Sequence, residues 1–555
     1  GTMRLLVAFI LMLRISAFYQ PLSQRYLKVA RYSKKSNWRR QDVNEFSSGK
    51  QYLTSMEYPN FNFQIFDNDP SSKARTGLIS TPHGTVETPN FILCATKAAM
   101  KSMTMEQVRN EGTQFILSNT FHLMLTPGED IIEKLGGLQK MTGWNGPMLT
   151  DSGGYQIFSM GHGSVAEEIK GKRNNEAIGL NKTLLSITEK GATFRSYVDG
   201  AIHSLTPERS IDIQHKLGAD LIVVLDECTP FNVDKAYTES SMRRSHRWGD
   251  RCLKRFSEIN KGKQALYGIV QGGIYEDLRQ ESCEYVNNRP FFGIAIGGSL
   301  GARKKEMHDI VTYTRGLLRN DRPVHLLGIG GIRDIFHGVR QGIDTFDCVH
   351  PTRLGRHGGA LVKTKYWSEE TSEISISENS YLNGLATKLK DEKEKYRPEL
   401  EALDRQLQSL GKADNPIELA EKLEAKKKKI LSKIITLEHK LNLRTKEVKD
   451  SMSKKIVREH IHLEKAKFRV DPRPIDKDCT CYTCKNFSRG YIHHLFRAKE
   501  MLGPTLVSTH NVHFMNEMMR NIREGIKTGK LDEVEKEYIH PNLISSLDGT
   551  TSLGE

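Results

Sequence analysis

At 555 residues, with 37% hydrophobic and 27% charged side chains, the chain is long enough for one large barrel with insertions or for several domains. Its formal net charge of +15 is concentrated in two appendages: residues 1–41 hold nine Lys/Arg and no acid, and residues 381–470 hold 23 Lys/Arg against 15 Asp/Glu. The remainder is close to neutral, so overall basicity alone does not mark a nucleic-acid protein, and no segment beyond the N-terminus approaches a transmembrane span.

Residues 1–2 precede Met3 and read as an expression scar. "MRLLVAFILMLRISAF" then has the charged start, short apolar stretch and small residues (Ser16, Ala17) of a signal peptide, giving a first segment at 1–18. Residues 19–50 follow with transit-peptide composition. That succession resembles the bipartite presequences of plastids bounded by extra membranes, with a mitochondrial presequence second and an uncleaved anchor third.

From residue 51 to 363, eight apolar runs alternate with helical patterns. They are "NFILCAT" (90–96), "FILSNT" (115–120), "PMLTDSGG" (147–154), "DLIVVLDEC" (220–228), "ALYGIVQGG" (265–273), "GIAIGGS" (293–299), "HLLGIGG" (325–331) and "TFDCVHPT" (345–352). Nearly continuous apolarity marks strands buried on both faces, and each run ends in polar residues or glycine. Eight such strands with helical crossovers predict an α/β fold, a (β/α)8 barrel with its polar strand ends gathered on one face. An open doubly wound sheet is the alternative.

Residues 364–465 interrupt this rhythm. Leucines and isoleucines recur at steps of three, four and seven on both sides of "GKADNP", predicting an inserted antiparallel coiled-coil hairpin that turns at 411–416. Its lysines are diluted by glutamates, which favours a spacer over an RNA or partner arm. Residues 466–530 then hold "CTCYTC", whose Cys479, Cys481 and Cys484 need a fourth ligand to close a tetrahedron around zinc. His493, His494, His510 and His513 all lie downstream, and spacing does not choose among them. The other five cysteines are scattered and read as reduced thiols. Residues 531–555 form a tail.

Chemistry gathers at the strand ends. Asp151 and Tyr155 lie in "LTDSGGYQ", where Gly153 and Gly154 would let backbone approach a flat ligand; Asp226 ends "LDEC", Gln271 sits in "VQGG" and Gly298 in "IGGS". Carboxylates and amides read the edge of a purine, and an aromatic ring stacks on its face. "GIDTFDCVHPTRLGR" adds Asp347 with Arg353 and Arg356, a carboxylate suited to attack on carbon followed by guanidiniums suited to phosphate.

Taken together, "LSNTFHLML", "LTDSGGYQ", "LDECTP", "GIVQGG", "AIGG", "GIDTFDCVHPTR", "CTCYTCKNFSRGYIHHL" and "THNVHF" resemble the tRNA-guanine transglycosylases over roughly 60–363 and 466–530. Those are zinc-containing barrel enzymes that exchange guanine at the wobble position of tRNA for a queuine-type base. The resemblance implies that Asp347 is the nucleophile on ribose C1′, forming a covalent intermediate, and that Asp151 is the proton acceptor. It implies a base pocket of Asp151, Ser152, Gly153, Gly154, Tyr155, Asp226, Gln271 and Gly298. RNA contacts are implied for Gly328, Ile329, Gly330, Gly331, Ile332, Arg333 and Asp334, and for Thr352, Arg353, Leu354, Gly355 and Arg356. His510 becomes the fourth ligand of one structural Zn2+ per chain. Asp344 has no assigned role and is expected to be structural.

The resemblance further implies a tRNA substrate with guanine at the wobble position, queuine or preQ1 as the incoming base, and a catalytic homodimer. The alternative is the non-catalytic subunit of a heterodimer. Two departures bear on the base. "SLGARKK" follows the pocket glycines where many relatives have a leucine and then a glutamate, and Gly301 is expected to leave room for queuine. Cys228 belongs instead to the preQ1 pattern.

Overall fold

The computed structural model describes residues 55–161, 184–229, 233–301, 303–366, 368–409, 416–453 and 459–539. The leader-like segments at 1–50, the hairpin turn at 411–415 and the tail beyond 539 lie outside the described residues. Among those residues no helix is long and apolar enough to cross a membrane.

Eight parallel strands close into a barrel: β1 Asn90–Cys94, β2 Ile116–Ser118, β3 Met148–Thr150, β4 Leu221–Val223, β5 Ala265–Val270, β6 Gly293–Ile296, β7 Val324–Leu326 and β8 Thr345–Cys348. Each coincides with one of the eight apolar runs, β7 starting one residue ahead of its run, at Val324. The last strand pairs with the first (Thr345 opposite Asn90, Asp347 opposite Ile92), which seals the cylinder. Ile92, Leu93, Ile116, Leu149, Ile222, Val270, Ile294, Val324 and Phe346 are buried, as strands covered on both faces require.

Local chemistry sets the helix ends. In α1 (Pro207–Leu217), the Thr206 hydroxyl accepts from the Arg209 N–H, Pro207 opens the first turn, and Gly218 closes it at φ 78°. A three-stranded antiparallel sheet at 62–88 covers the N-terminal end of the barrel. There Arg75 forks onto Asp344 at 2.9 and 2.6 Å, both fully enclosed. Asp344 also accepts from the Val324 N–H at 2.7 Å. It is a structural counter-ion at the end away from the polar strand ends. A second antiparallel sheet (Leu184–Thr188, Gly191–Arg195, Ile202–Leu205) is inserted between β3 and β4.

After β8 the chain forms α2 (His350–Arg356) and a short strand, Gly359–Leu361, antiparallel to His460–His462. Between these two strands rise α3 (Ser368–Gln408) and α4 (Pro416–Ser453). They run antiparallel, with Leu403, Ile430 and Ile434 buried between them. Lys427 pairs with Asp404, Lys426 with Glu399 and Lys393 with Glu438. Pro398 lies inside α3. The last long helix, α5 (Leu502–Thr528), crosses α2 so closely that a Cβ at Gly355 would sit 2.8 Å from the Ser508 nitrogen.

Candidate active site

Side chains alternate along a strand, so Thr345 and Asp347 of β8 share one face, and His325 of β7 stands opposite Thr345. The His325 ring therefore fits between them. Its Nδ1 lies 3.0 Å from the Thr345 hydroxyl and its Nε2 3.2 Å from Asp347 Oδ1. The second approach is off the line of a hydrogen bond and leaves Nε2 buried without a partner among the described residues. Asp347 Oδ1 also accepts from the Gly328 N–H at 2.8 Å. Among the described residues its Oδ2 accepts only from the Cys94 thiol, at 3.6 Å. One carboxylate oxygen is pinned and the other is presented. The Cys94 thiol is pushed well up by burial, and Asp347 adds to the shift, so it stays protonated.

Asp151 follows β3 and is held from three sides. Oδ2 accepts from Asn119 Nδ2 at 2.6 Å and Gln156 Nε2 at 2.7 Å, and Oδ1 accepts from the Thr120 N–H at 2.8 Å. Burial raises its pKa, the three donors oppose that, and the charge of Asp347 adds to the rise. The two carboxyls therefore feel one another across the mouth.

The glycines after Asp151 work differently from the expectation. A Cβ on Gly154 would lie 2.7 Å from the Asp226 carbonyl, and one on Gly153 would lie 3.3 Å from the Phe121 nitrogen. On that side they admit the protein's own backbone, drawing the loops after β2, β3 and β4 together. Tyr155 beside them is half exposed.

Asp226, after β4, is buried, and burial pushes its carboxyl up to about 6 against the lowering effect of Gln271. Gln271 Nε2 donates to Asp226 Oδ2 at 2.5 Å, while Ser152 Oγ approaches Oδ1 at 3.4 Å. A carboxylate only accepts, so this pairing turns the Gln271 oxygen away, and that oxygen is buried without a partner among the described residues. It lies 2.3 Å from where a Cβ on Gly298 would stand, and Gly298 has φ 75°, so no other residue fits there. Arg279 holds this corner. Fully buried, its guanidinium donates to the carbonyls of Gly273 (2.8 Å), Gly297 (3.0 Å), Val270 (3.3 Å) and Ser299 (3.3 Å). Burial pushes its pKa down to about 10. Gly301 also departs from expectation: its Cβ side is filled by the Glu306 carboxylate, 2.4 Å from that position, so it opens no space there.

The expected RNA stretches form part of the rim. Arg353 is exposed, and Ile329, Gly331, Arg333, Leu354 and Arg356 are partly so. Gly330, Ile332, Thr352 and Gly355 are buried, and Asp334 turns inward to His308 at 2.9 Å and Lys304 at 3.2 Å. Partial burial lowers the pKa of Lys101, and the nearby charges of Arg356, Lys97 and Arg353 lower it further. Cations therefore crowd beside the mouth.

Beyond the barrel, the sulfurs of Cys479, Cys481 and Cys484 and Nδ1 of His510 lie within 4.8 Å of one another. The His510 Nε2–H donates to the Leu361 carbonyl at 2.8 Å, which leaves Nδ1 as the lone-pair nitrogen facing the thiols. The other histidines are engaged elsewhere or lie at the surface. His513 pairs with Glu111 at 2.8 Å, His493 meets the Leu463 carbonyl at 2.9 Å, and His494 is exposed. Three thiols and one correctly oriented imidazole form a donor set that could hold a tetrahedral metal ion.

His325, Asn119, Gln156, Cys94 and Arg279 escaped the sequence reading. A signal existed for His325, a basic residue opening an otherwise apolar run, and for Asn119, a polar residue ending one.

The family model described as "Queuine tRNA-ribosyltransferase" matches residues 69–542. The chain is 38% identical over 486 residues to a queuine tRNA-ribosyltransferase of Roseiflexus sp. (strain RS-1), covering 86% of this chain and 98% of that protein. A protein of the same name from Synechococcus elongatus is 35% identical, covering 87% and 96%. A putative queuine tRNA-ribosyltransferase of Archaeoglobus fulgidus is 34% identical, covering 84% and 96%.

Proposed function

The chain belongs to the queuine tRNA-ribosyltransferase family, and on that premise we propose that its barrel mouth exchanges the wobble guanine of tRNA through a covalent bond to Asp347. The observation that carries this is the asymmetry of the Asp347 carboxylate: Oδ1 is held by the Gly328 N–H and faced by His325, while Oδ2 is presented beside a neutral thiol. A nucleophile needs one oriented oxygen that is not committed to other donors.

The reaction runs in two displacements. Asp347 Oδ2 attacks ribose C1′ as the C1′–N9 bond breaks, and guanine leaves with the electron pair and takes up a proton from water, matched by the one that Asp151 later takes from the incoming base and returns to solvent. The incoming base then attacks C1′ through its own nitrogen, the C1′–O bond breaks, and Asp347 is restored. Asp151 accepts the proton that the incoming base loses. Its raised pKa suits that task better than a fully exposed carboxyl would. Asp226 and the unmatched Gln271 oxygen supply acceptors for the N–H donors of a guanine edge, and Tyr155 offers a ring face. Arg353, Arg356, Lys97 and Lys101 suit phosphates.

Incubation with a cognate tRNA and labelled guanine should give incorporation, together with a tRNA–protein adduct that survives denaturing electrophoresis. An Asp347→Asn variant that incorporated guanine at the normal rate would remove this role.

The same reading extends to the metal and the assembly. Zn2+ is the ion that three thiolates and an imidazole favour. Bound there, it would close the lobe without a free position for catalysis. All three mouth carboxyls are present, which supports a catalytic chain, and a homodimer is the assembly expected; native mass measurement tests it. Queuine is proposed over preQ1 because the leader composition points to a eukaryotic organelle, a plastid before a mitochondrion. Competition of the two bases against labelled guanine, and imaging of a fusion carrying residues 1–50, test these two points.

A further inference from the structure

Five lysines of α4, Lys422, Lys426, Lys429, Lys433 and Lys440, are spaced by four, three, four and seven residues, and all are exposed. At 3.6 residues per turn those steps keep returning to one side, so the ammonium groups form a single stripe about 27 Å long. The seam with α3 lies on another face, through Leu423, Ile430 and Ile434. The acids of the same stretch, Glu421, Glu424 and Glu438, fall off the stripe, and Glu438 pairs with Lys393. Charge that looks diluted along the sequence is therefore sorted in space. From α3, Tyr396 joins the cationic edge, with Lys395 and Lys433 at 5.2 and 5.6 Å from its ring centre. Lys426 meets Glu399 at 3.0 Å, an exposed pair that a phosphate could replace at little cost.

We propose that this stripe binds the phosphate backbone of tRNA outside the anticodon stem–loop. This rests on the function proposed above, which places the anticodon loop at the barrel mouth. The arm is rooted elsewhere, at the strand pair 359–361 and 460–462, and Lys365 and Tyr366 at its base bond to Asp478 and Asp476 next to the thiol cluster. Four ammonium groups one helical turn apart and a fifth two turns further on, with an aromatic ring among them, suit the repeating phosphates of a single RNA strand. A compact acidic protein face would not need a stripe of this length.

The test compares two RNAs bound to the full chain, by fluorescence anisotropy: intact cognate tRNA and its isolated anticodon stem–loop. The variant is Lys429→Glu/Lys433→Glu/Lys440→Glu, with Lys→Arg at the same positions as the charge-keeping control. For intact tRNA the Glu variant should bind tenfold or more weaker at moderate salt. Its log–log salt slope should also flatten by about 2–3, one phosphate contact per lysine. Stem–loop affinity should not change, and the Arg variant should keep both. Unchanged affinity and slope for intact tRNA would overturn the proposal and leave the stripe to an acidic protein. Equal weakening for both RNAs would overturn it too, since the effect would then lie at the mouth. Guanine exchange into the stem–loop by the unmodified chain reports separately on the proposed reaction, so the two readings can fail independently.

Discussion

The barrel mouth and the thiol cluster are both buried and polar, yet they treat their polar atoms in opposite ways. At the cluster, four donor atoms converge on one point and the imidazole's remaining N–H is satisfied by the Leu361 carbonyl. At the mouth, the Gln271 oxygen and His325 Nε2 have no aligned partner among the described residues, and the charge of Asp347 adds to the raised pKa of Asp151. Unmatched groups cost stability unless something arrives to match them. The contrast separates a site made for one permanent occupant from a site made for successive ones.

The sharpest way to break that contrast is to empty the cluster. Chelation, or Cys484→Ala, should unfold the lobe around residues 460–500, with a metal-linked loss on the order of 10 kcal/mol. Metal analysis alongside circular dichroism would show it; a folded, active, metal-free preparation would dissolve the distinction. Next in size is Asp347→Asn. Exchange should fall by about ten-thousand-fold or more, while the melting temperature stays within a few degrees, because the replacement keeps the shape and the cluster is untouched.

Asp226→Asn should separate function from stability. Folding raises this carboxyl to about 6, so the native state holds an extra proton between the ordinary carboxylate range and that value. Stability therefore falls as pH rises through this window, and the whole cost is present above about 6. Removing the charge should stabilise the protein by about 2–3 kcal/mol at neutral pH and by almost nothing near pH 4. Guanine binding should weaken at the same time. Thermal melts at the two pH values, set beside base affinity, decide it. The smallest effect belongs to His325→Phe. Adduct formation should slow by about 10–100-fold with tRNA affinity unchanged, because only the orientation of Asp347 is lost. A matching loss of affinity would point to a general disturbance of the mouth.

The eight strands were legible because burial on both faces leaves a near-continuous apolar run, and the strand-end acids because each follows such a run. The sheets at 62–88 and 184–205 were not read, although "EKG" and "VDGA" between short alternating stretches are turn signals. Partners were harder still. That His325 stands against Asp347 follows from inter-strand register, and that Arg279 joins the ends of β5 and β6 follows from a helix folding back on its strand; neither is a property of a local pattern. Gly153 and Gly154 show the limit from the other side. A glycine announces close approach without naming what approaches, and here the neighbour is the protein's own backbone. The lysine stripe was hidden for a related reason, since a charge count along the chain ignores which side of a helix each residue faces.

The root of the arm bears on how the molecule can fold at all. Leu361 lies opposite His460, so the two ends of the insertion are neighbours across one strand pair. Measured along the chain, joining them means closing a loop of roughly a hundred residues, a slow and entropically costly event for a slack segment. Two long helices that zip against each other bring their own ends together first, through contacts local to the hairpin. The nascent barrel then meets a preformed staple in place of a wandering tether, and the search for the strand at 460–462 and the closing helix remains nearly as short as if the arm had never been added.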